Sequence, residues 1–108
     1  MGKFKVSTDA AGKFRFNLVA DNGQVVLSSQ GYAGKDGCMN GIESVRSNCG
    51  DDKCFERAEA SNGKVYFNLK ASNGQVIGTS QMYADKGGME NGIASVAKNA
   101  PDAAVEEE

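Results

Sequence analysis

The stretch from Gly12 to Asn48 returns, altered but without a gap, as Gly63 to Asn99. The offset is 51 positions throughout, and about 22 of the 37 aligned residues are identical, far more than a shared hydrophobic pattern alone produces. The chain is one short unit used twice. At 108 residues it suits a single domain, whereas a half of about 50 residues is marginal as an independent core. The expected organisation is a single domain over 1–108, with a first repeat at 1–51, a second at 52–102 and a terminal piece at 103–108.

Within each unit the apolar period changes once. Lys3–Ser7 and Lys13–Ala20 alternate, with Phe4 and Val6, then Phe14, Phe16, Leu18 and Ala20, on one side. Asn22-Gly23 predicts a type I′ hairpin turn that sets Ala20 opposite Val25, Leu18 opposite Leu27 and Phe16 opposite Ser29. Cys38, Ile42, Val45 and Cys49 then recur at spacings of four, three and four, the stripe of an amphipathic helix over 35–48. Met89, Ile93, Val96 and Ala100 repeat it. Asp85 is the stronger N-cap and Gly34 the weaker. Asn48 and Asn99 are expected to close the helices in the left-handed conformation. Gly41 and Gly92 interrupt good helix formers beside an inward Ile, which implies close approach of helix and sheet.

The expected fold is α+β: a tandem three-strand-plus-helix unit in one mostly antiparallel sheet. Both helices cover one face, a pseudo-twofold relates the halves, and strands are exchanged so that the first strand of each unit pairs in the other half. Asp102 and Glu106–Glu108 supply four of the 14 acidic residues; the tail is read as a solvated end, or else as a closing strand over 104–107. Cys38, Cys49 and Cys54 replace Met89, Ala100 and Val105 of the other copy, so they read as small buried hydrophobes rather than disulfide or metal ligands.

The combined pattern F-x-L-x-A-x-N-G-x-V, S-Q-x-Y-A-x-K and N-G-I-x-S-V-x-x-N, present in both halves, resembles the YegP-like family of small bacterial proteins. The resemblance implies three strands, a helix and an exchanged strand per unit. It carries over no catalytic residue, cofactor or substrate. Two departures stand out: Gly31 faces Met82 in the alignment, and Leu27 becomes Gly78.

Function is less legible. There is no histidine, hence no imidazole acid or base. The acidic residues fall in turns, on helix exteriors and in the tail, so a carboxylate-dependent hydrolase is the least favoured reading. No cofactor or metal is expected. The leading expectation is a non-enzymatic binding or protein-interaction module. A protein partner would use the open polar face of the sheet or an exposed strand edge. The alternative is a nucleic-acid or anionic-ligand binder through the same face, formed by Lys3, Lys5, Lys13, Arg15 and Asn17 with Lys64, Tyr66, Asn68 and Lys70. The plainer account is a solvated face whose long side chains cover Val19, Val26 and Ile77. A second candidate is the pair of loops carrying Gln30, Tyr32 and Lys35, and Gln81, Tyr83 and Lys86; the plainer account packs each Tyr under its helix. A net charge of −2 gives no general attraction to nucleic acid or membranes. With no apolar run long enough to span a bilayer and no leader pattern in MGKFKV, a cytoplasmic monomer is expected.

Overall fold

The computed structural model describes residues 2–107. The first repeat forms β1 (Lys3–Thr8), β2 (Phe14–Val19), β3 (Val25–Ser29) and α1 (Lys35–Asn48). The second forms β4 (Phe55–Glu59), β5 (Val65–Lys70), β6 (Val76–Thr79) and α2 (Lys86–Asn99), and the chain finishes in β7 (Ala104–Glu107). All seven strands make one sheet in the order β4-β5-β6-β3-β2-β1-β7. Every neighbouring pair is antiparallel except β1 and β7, which run parallel. The pseudo-twofold passes through the Ser28↔Thr79 pair at the central seam.

Both helices lie on the apolar face, and each reaches strands of the other half: α1 packs on β5 and β6 as well as β2, and α2 on β3 as well as β5. One buried cluster results, holding Phe4, Phe16, Leu18, Ile42 and Val45 together with Phe67, Leu69, Ile93 and Val96. Strand exchange occurs, but not as the repeat phase suggested. The first strands β1 and β4 pair within their own repeats, with β2 and β5. The crossing strand is β7, which leaves the second repeat and lies against β1 of the first. Residues 104–107 are therefore a strand rather than a solvated end, while Glu108 lies outside the described residues.

Among the described residues, the side chains that bond to β7 and to Ala103 just before it belong to the first repeat. Lys3 pairs with Glu106 at 3.0 Å and Lys35 with Glu107. Arg46, stacked on the Phe4 ring at 5.4 Å, donates to the Ala103 carbonyl. The counterparts of Lys3 and Arg46 are Cys54 and Ala97, which cannot repeat these contacts. The matching edge of β4 instead carries Arg57 where β1 has Val6. Its guanidinium spans Glu90 on α2 and Asp52, an inward-facing charge of the kind that discourages edge-to-edge pairing.

The hairpin turns depart from type I′. The Gly23 N–H donates to Ala20 O, the Ala20 N–H to Gln24 O, and only Gly23 adopts positive φ, at 85°. This is a three-residue type I turn closed by a glycine bulge. It recurs at Gly12, Gly63 and Gly74. Leu18 faces Leu27 as expected, but Val19 rather than Ala20 faces Val25. A second irregularity lies in the strand, where the register shifts between Leu18 and Val19: Val26, and likewise Ile77 in β6, is left unpaired and turns into the core, so neither lies on the open face.

Asp85 caps α2 by accepting from the Gly88 N–H at 2.8 Å. Asn48 and Asn99 do not take the left-handed conformation. Each remains helical and donates its side-chain amide back to Ser44 O or Ser95 O, both at 2.8 Å. Cys38 and Cys49 are buried and Cys54 is half-buried; all three thiols are free.

The close approach at Gly41 is real and specific. A Cβ there would lie 2.9 Å from Tyr32 Cζ and 3.0 Å from Phe16 Cε2; at Gly92 it would lie 2.7 Å from Tyr83 Cζ. Gly41→Ala gains about 1 kcal/mol of helix propensity but overpacks a rigid ring at a cost of about 1–3 kcal/mol. We expect a net loss in urea denaturation, partly restored by adding Tyr32→Phe. A midpoint at or above the parent's contradicts this packing.

Candidate functional site

The open sheet face is built by the strand residues that alternate with the core positions. Arg15, Asn17 and Val19 stand on β2, Lys3, Lys5 and Ser7 on β1, and Tyr66, Asn68 and Lys70 on β5. The structure thus gathers most of the expected polar set onto one surface, with Lys13 and Lys64 exposed at the starts of β2 and β5. It also supplies the opposing charges. Arg15 Nε donates to Asp9 Oδ2 at 2.8 Å, and Lys70 donates to Glu56 Oε2 at 2.8 Å. Lys3 is taken by Glu106, which also feels Lys5. Asn68 bridges Glu56 and the Thr79 hydroxyl at 3.0 and 2.7 Å. The face is a lattice of mutually satisfied groups more than a uniform positive field.

The second candidate, the loop after β3 and its copy after β6, is explained by backbone satisfaction. At Ser29 the strand swings away from β2. The Ser29 hydroxyl accepts from the Phe16 N–H at 2.9 Å and donates to Gln30 O at 2.8 Å; Ser80 does the same for Phe67 and Gln81 at 3.0 and 2.8 Å. The chain then rejoins β2 at Tyr32, whose N–H and C=O pair with Phe14 at 2.7 and 2.8 Å. Tyr32 stacks on Phe16 and Tyr83 on Phe67, each pair 11° from parallel. Burial pushes both phenols above their ordinary values, and the Gln30 and Gln81 side chains, hydrogen-bonded to them, act in the opposite direction. Gln and Tyr thus meet in each loop. Lys35 does not join them, because Glu107 draws it to the β1–β7 edge.

Among the described residues no cluster of three or more His, Cys, Asp or Glu is placed to hold a metal. Burial raises the Cys38 and Cys49 thiols, away from the thiolate a nucleophile needs. The shifted carboxyls Asp9, Glu56, Glu90 and Glu106 all move down, chiefly through hydrogen bonds from Arg15, Lys70, Arg57 and Lys3. A general acid needs the opposite shift.

Sequence reasoning missed two hollows. A groove of about 410 Å³ lies on the central seam, lined by Val25, Ser28, Gln30, Val76, Thr79 and Gln81. A cleft of about 240 Å³ opens between α2 and the turn of the opposite half's hairpin. Asn22, Gln24 and Val26 come from the first half, and Gln81, Tyr83, Asn91 and Ser95 from the second. The available signal was the set of exposed polar residues that the two repeats hold in common.

The depressed carboxyls set a pH dependence. Each such group contributes stability above its unfolded pKa and loses it as pH falls through the lower folded value. For Glu106, whose ordinary value is 4.5, we expect β7 amides to lose hydrogen-exchange protection below that pH before β2 and β5 do. Simultaneous loss in all three strands contradicts an electrostatic clamp on β7.

Comparison with known proteins follows the same outline. The family described as Domain of unknown function (DUF1508) matches twice, over residues 9–56 and 60–107. A "UPF0339 protein in ptx operon 5′region" of Stutzerimonas stutzeri is 52% identical over 106 residues, covering 98% of this chain and 96% of that protein. The UPF0339 protein YegP of Escherichia coli K12 is 50% identical, covering 91% and 89%. The solution NMR structure of a protein of unknown function, YegP from E. coli, superimposes with a TM-score of 0.95 at 47% identity, over 99% of this chain and 92% of that one. The UPF0339 protein SO3888 of Shewanella oneidensis gives 0.93 at 44%, over 98% and 90%.

Proposed function

This chain belongs to the DUF1508 family, and we propose that it is a non-catalytic binding module that presents the same recognition surface twice. The observation that carries this reading is a contrast between exposed and half-buried surface positions of the two repeats. On the first helix Asp36, Glu43 and Ser47 correspond to Gly87, Ala94 and Lys98, whereas Asn40 and Ser44 correspond to Asn91 and Ser95. Lys35 and Lys86, at the helix starts, are also kept. Asn is a poor helix former, about 0.5 kcal/mol or more worse than Ala at an exposed site, and neither core nor cap asks for it here. The hairpin turns likewise share the exposed Gln24 and Gln75.

The second reading places an anionic ligand on the open sheet face, where Lys13 and Lys64 stand exposed and Tyr66 is half-buried. The ion pairs of Lys3, Arg15 and Lys70 weaken it, since binding phosphate there requires displacing a carboxylate. The three free thiols and the lack, among the described residues, of a helix able to span a membrane support assignment to a reducing, cytoplasmic setting. The inward charge of Arg57 supports a monomer.

The test is a pair of ¹H–¹⁵N spectra of the labelled protein, one in buffer and one in concentrated bacterial cytosolic extract. Binding by a duplicated surface predicts perturbed resonances in pairs 51 positions apart, centred on the helices and opposite turns. Perturbation confined to the open sheet face and lost on raising salt favours the anionic ligand. No perturbation anywhere refutes both.

A further inference from the structure

The cleft beside α2 combines three properties that together define a ligand class, provided the binding-module reading holds. Its lining carries no ionisable group that is charged at neutral pH: the polar side chains are Asn22, Gln24, Gln81, Tyr83, Asn91 and Ser95. Charged neighbours are Asp85, whose carboxylate caps the lining residue Gly88, and Asp21 and Lys98 in the adjoining hollow; in the other copy these are Gly34, Ser72 and Ser47. What both repeats share is neutral.

The groups in the lining are partly fixed in advance. Asn22 Oδ1 accepts from the Gln24 backbone N–H at 3.0 Å, which orients the carboxamide and leaves its N–H₂ donors. Ser95 Oγ accepts from Asn99 Nδ2 at 3.1 Å, leaving its hydroxyl proton as a donor. Carboxamides and hydroxyls both give and receive hydrogen bonds, so the matching ligand does the same without a charge. Base stacking is excluded by the aromatic geometry. The Tyr83 ring is held against Phe67 on one side and the glycines of α2 on another, so it offers no platform of the kind nucleobase readers use.

The third property is size and number. A hollow of about 240 Å³ falls below the usual volume of a drug-sized site and suits one small ring. Every polar lining residue has an identical counterpart 51 positions away in the other repeat: Asn73 and Gln75 for Asn22 and Gln24, and Gln30, Tyr32, Asn40 and Ser44 for Gln81, Tyr83, Asn91 and Ser95; α1 packs on β5 and β6 as α2 packs on β3 and β5. A ligand that offers the same small neutral unit more than once gains from two such sites through effective concentration.

We propose that the α2 cleft and the equivalent position beside α1 are twin subsites for a neutral oligosaccharide, one sugar ring in each. The hydroxyls of the ring exchange hydrogen bonds with the carboxamides of the turn and helix, and the half-buried Tyr with its Gln forms the floor. No charge on the protein is neutralised, so affinity is insensitive to salt.

The experiment is a ¹H–¹⁵N titration that follows side-chain N–H₂ as well as backbone signals. The probes are maltohexaose, laminarihexaose and the hexamer of N-acetylglucosamine, each to ~10 mM because single-ring sites bind weakly. The proposal expects at least one probe to shift Asn22, Gln24 and Asn91 together with Asn73, Gln75 and Asn40, unchanged by added salt. Asn91→Ala should weaken the response of the α2 cleft at least about tenfold and spare that of α1, with an unchanged or raised melting temperature because Ala favours the helix. Absence of shifts with all three sugars, shifts on the open sheet face instead, or full binding by Asn91→Ala overturns it. So does a response to a neutral Ala-Gly peptide but to no sugar. If sugars fail while extract still perturbs paired positions, the ligand class is wrong and the binding module stands; if both fail, both readings fall.

Discussion

Leu27 sits fully buried at the central seam, and a Cβ on Gly78, its counterpart in the second repeat, would come within 2.9 Å of its side chain and 3.0 Å of the Ser28 carbonyl. The pseudo-twofold would otherwise bring two leucines to one place. One filled and one empty position resolve the conflict, and the halves close into a single core. The seam itself is slight: only Ser28↔Thr79 and Ser29↔Gly78 pair between β3 and β6. Cohesion comes instead from helices that each cover strands of both halves, and from apolar area no half could bury alone. The radius of gyration, 13.0 Å, is what one compact domain of this length has.

That constraint explains where the repeats agree and where they part. Ser, Gln and Tyr recur because each loop must leave its strand, replace a lost ladder partner with a hydroxyl, and seat a phenol under a helical glycine. Lys3 and Arg46 have no counterpart because a single terminal strand exists to be held. Arg57 replaces Val6 because the edge it guards receives no strand. Divergence between copies therefore marks tasks done once, and identity marks tasks done twice.

The fold was largely legible because its signals are local and periodic. The helix bounds at 35–48 and the Asp85 cap follow from spacing and side-chain chemistry. The errors share a cause as well. Asn22-Gly23 says that a turn occurs, but the choice between a two-residue loop and a bulged three-residue one depends on the strands it must join. A further bulge within the strands, at Val26 and Ile77, turned both into the core. The Asn48 and Asn99 closures failed because a nearer acceptor, the carbonyl one turn back, competed for the side chain. Strand exchange was misplaced because sequence shows the repeat but not its phase in space. The candidate sheet face was found by alternation, yet its ion pairs with Glu56 and Glu106 join residues on different strands, the second of them at opposite ends of the chain. The α2 cleft was invisible for a similar reason, since it is made from a turn of one repeat and a helix of the other.

The most direct measurement of the shared core is native-state hydrogen exchange across a urea series, followed at Phe16 and Leu18 in β2 and at Phe67 and Leu69 in β5. One cooperative body predicts that these amides converge on the same opening free energy and the same denaturant dependence, those of global unfolding. Two separate isotherms, with one repeat opening while the other stays protected, would show that each half carries its own core and contradict the account.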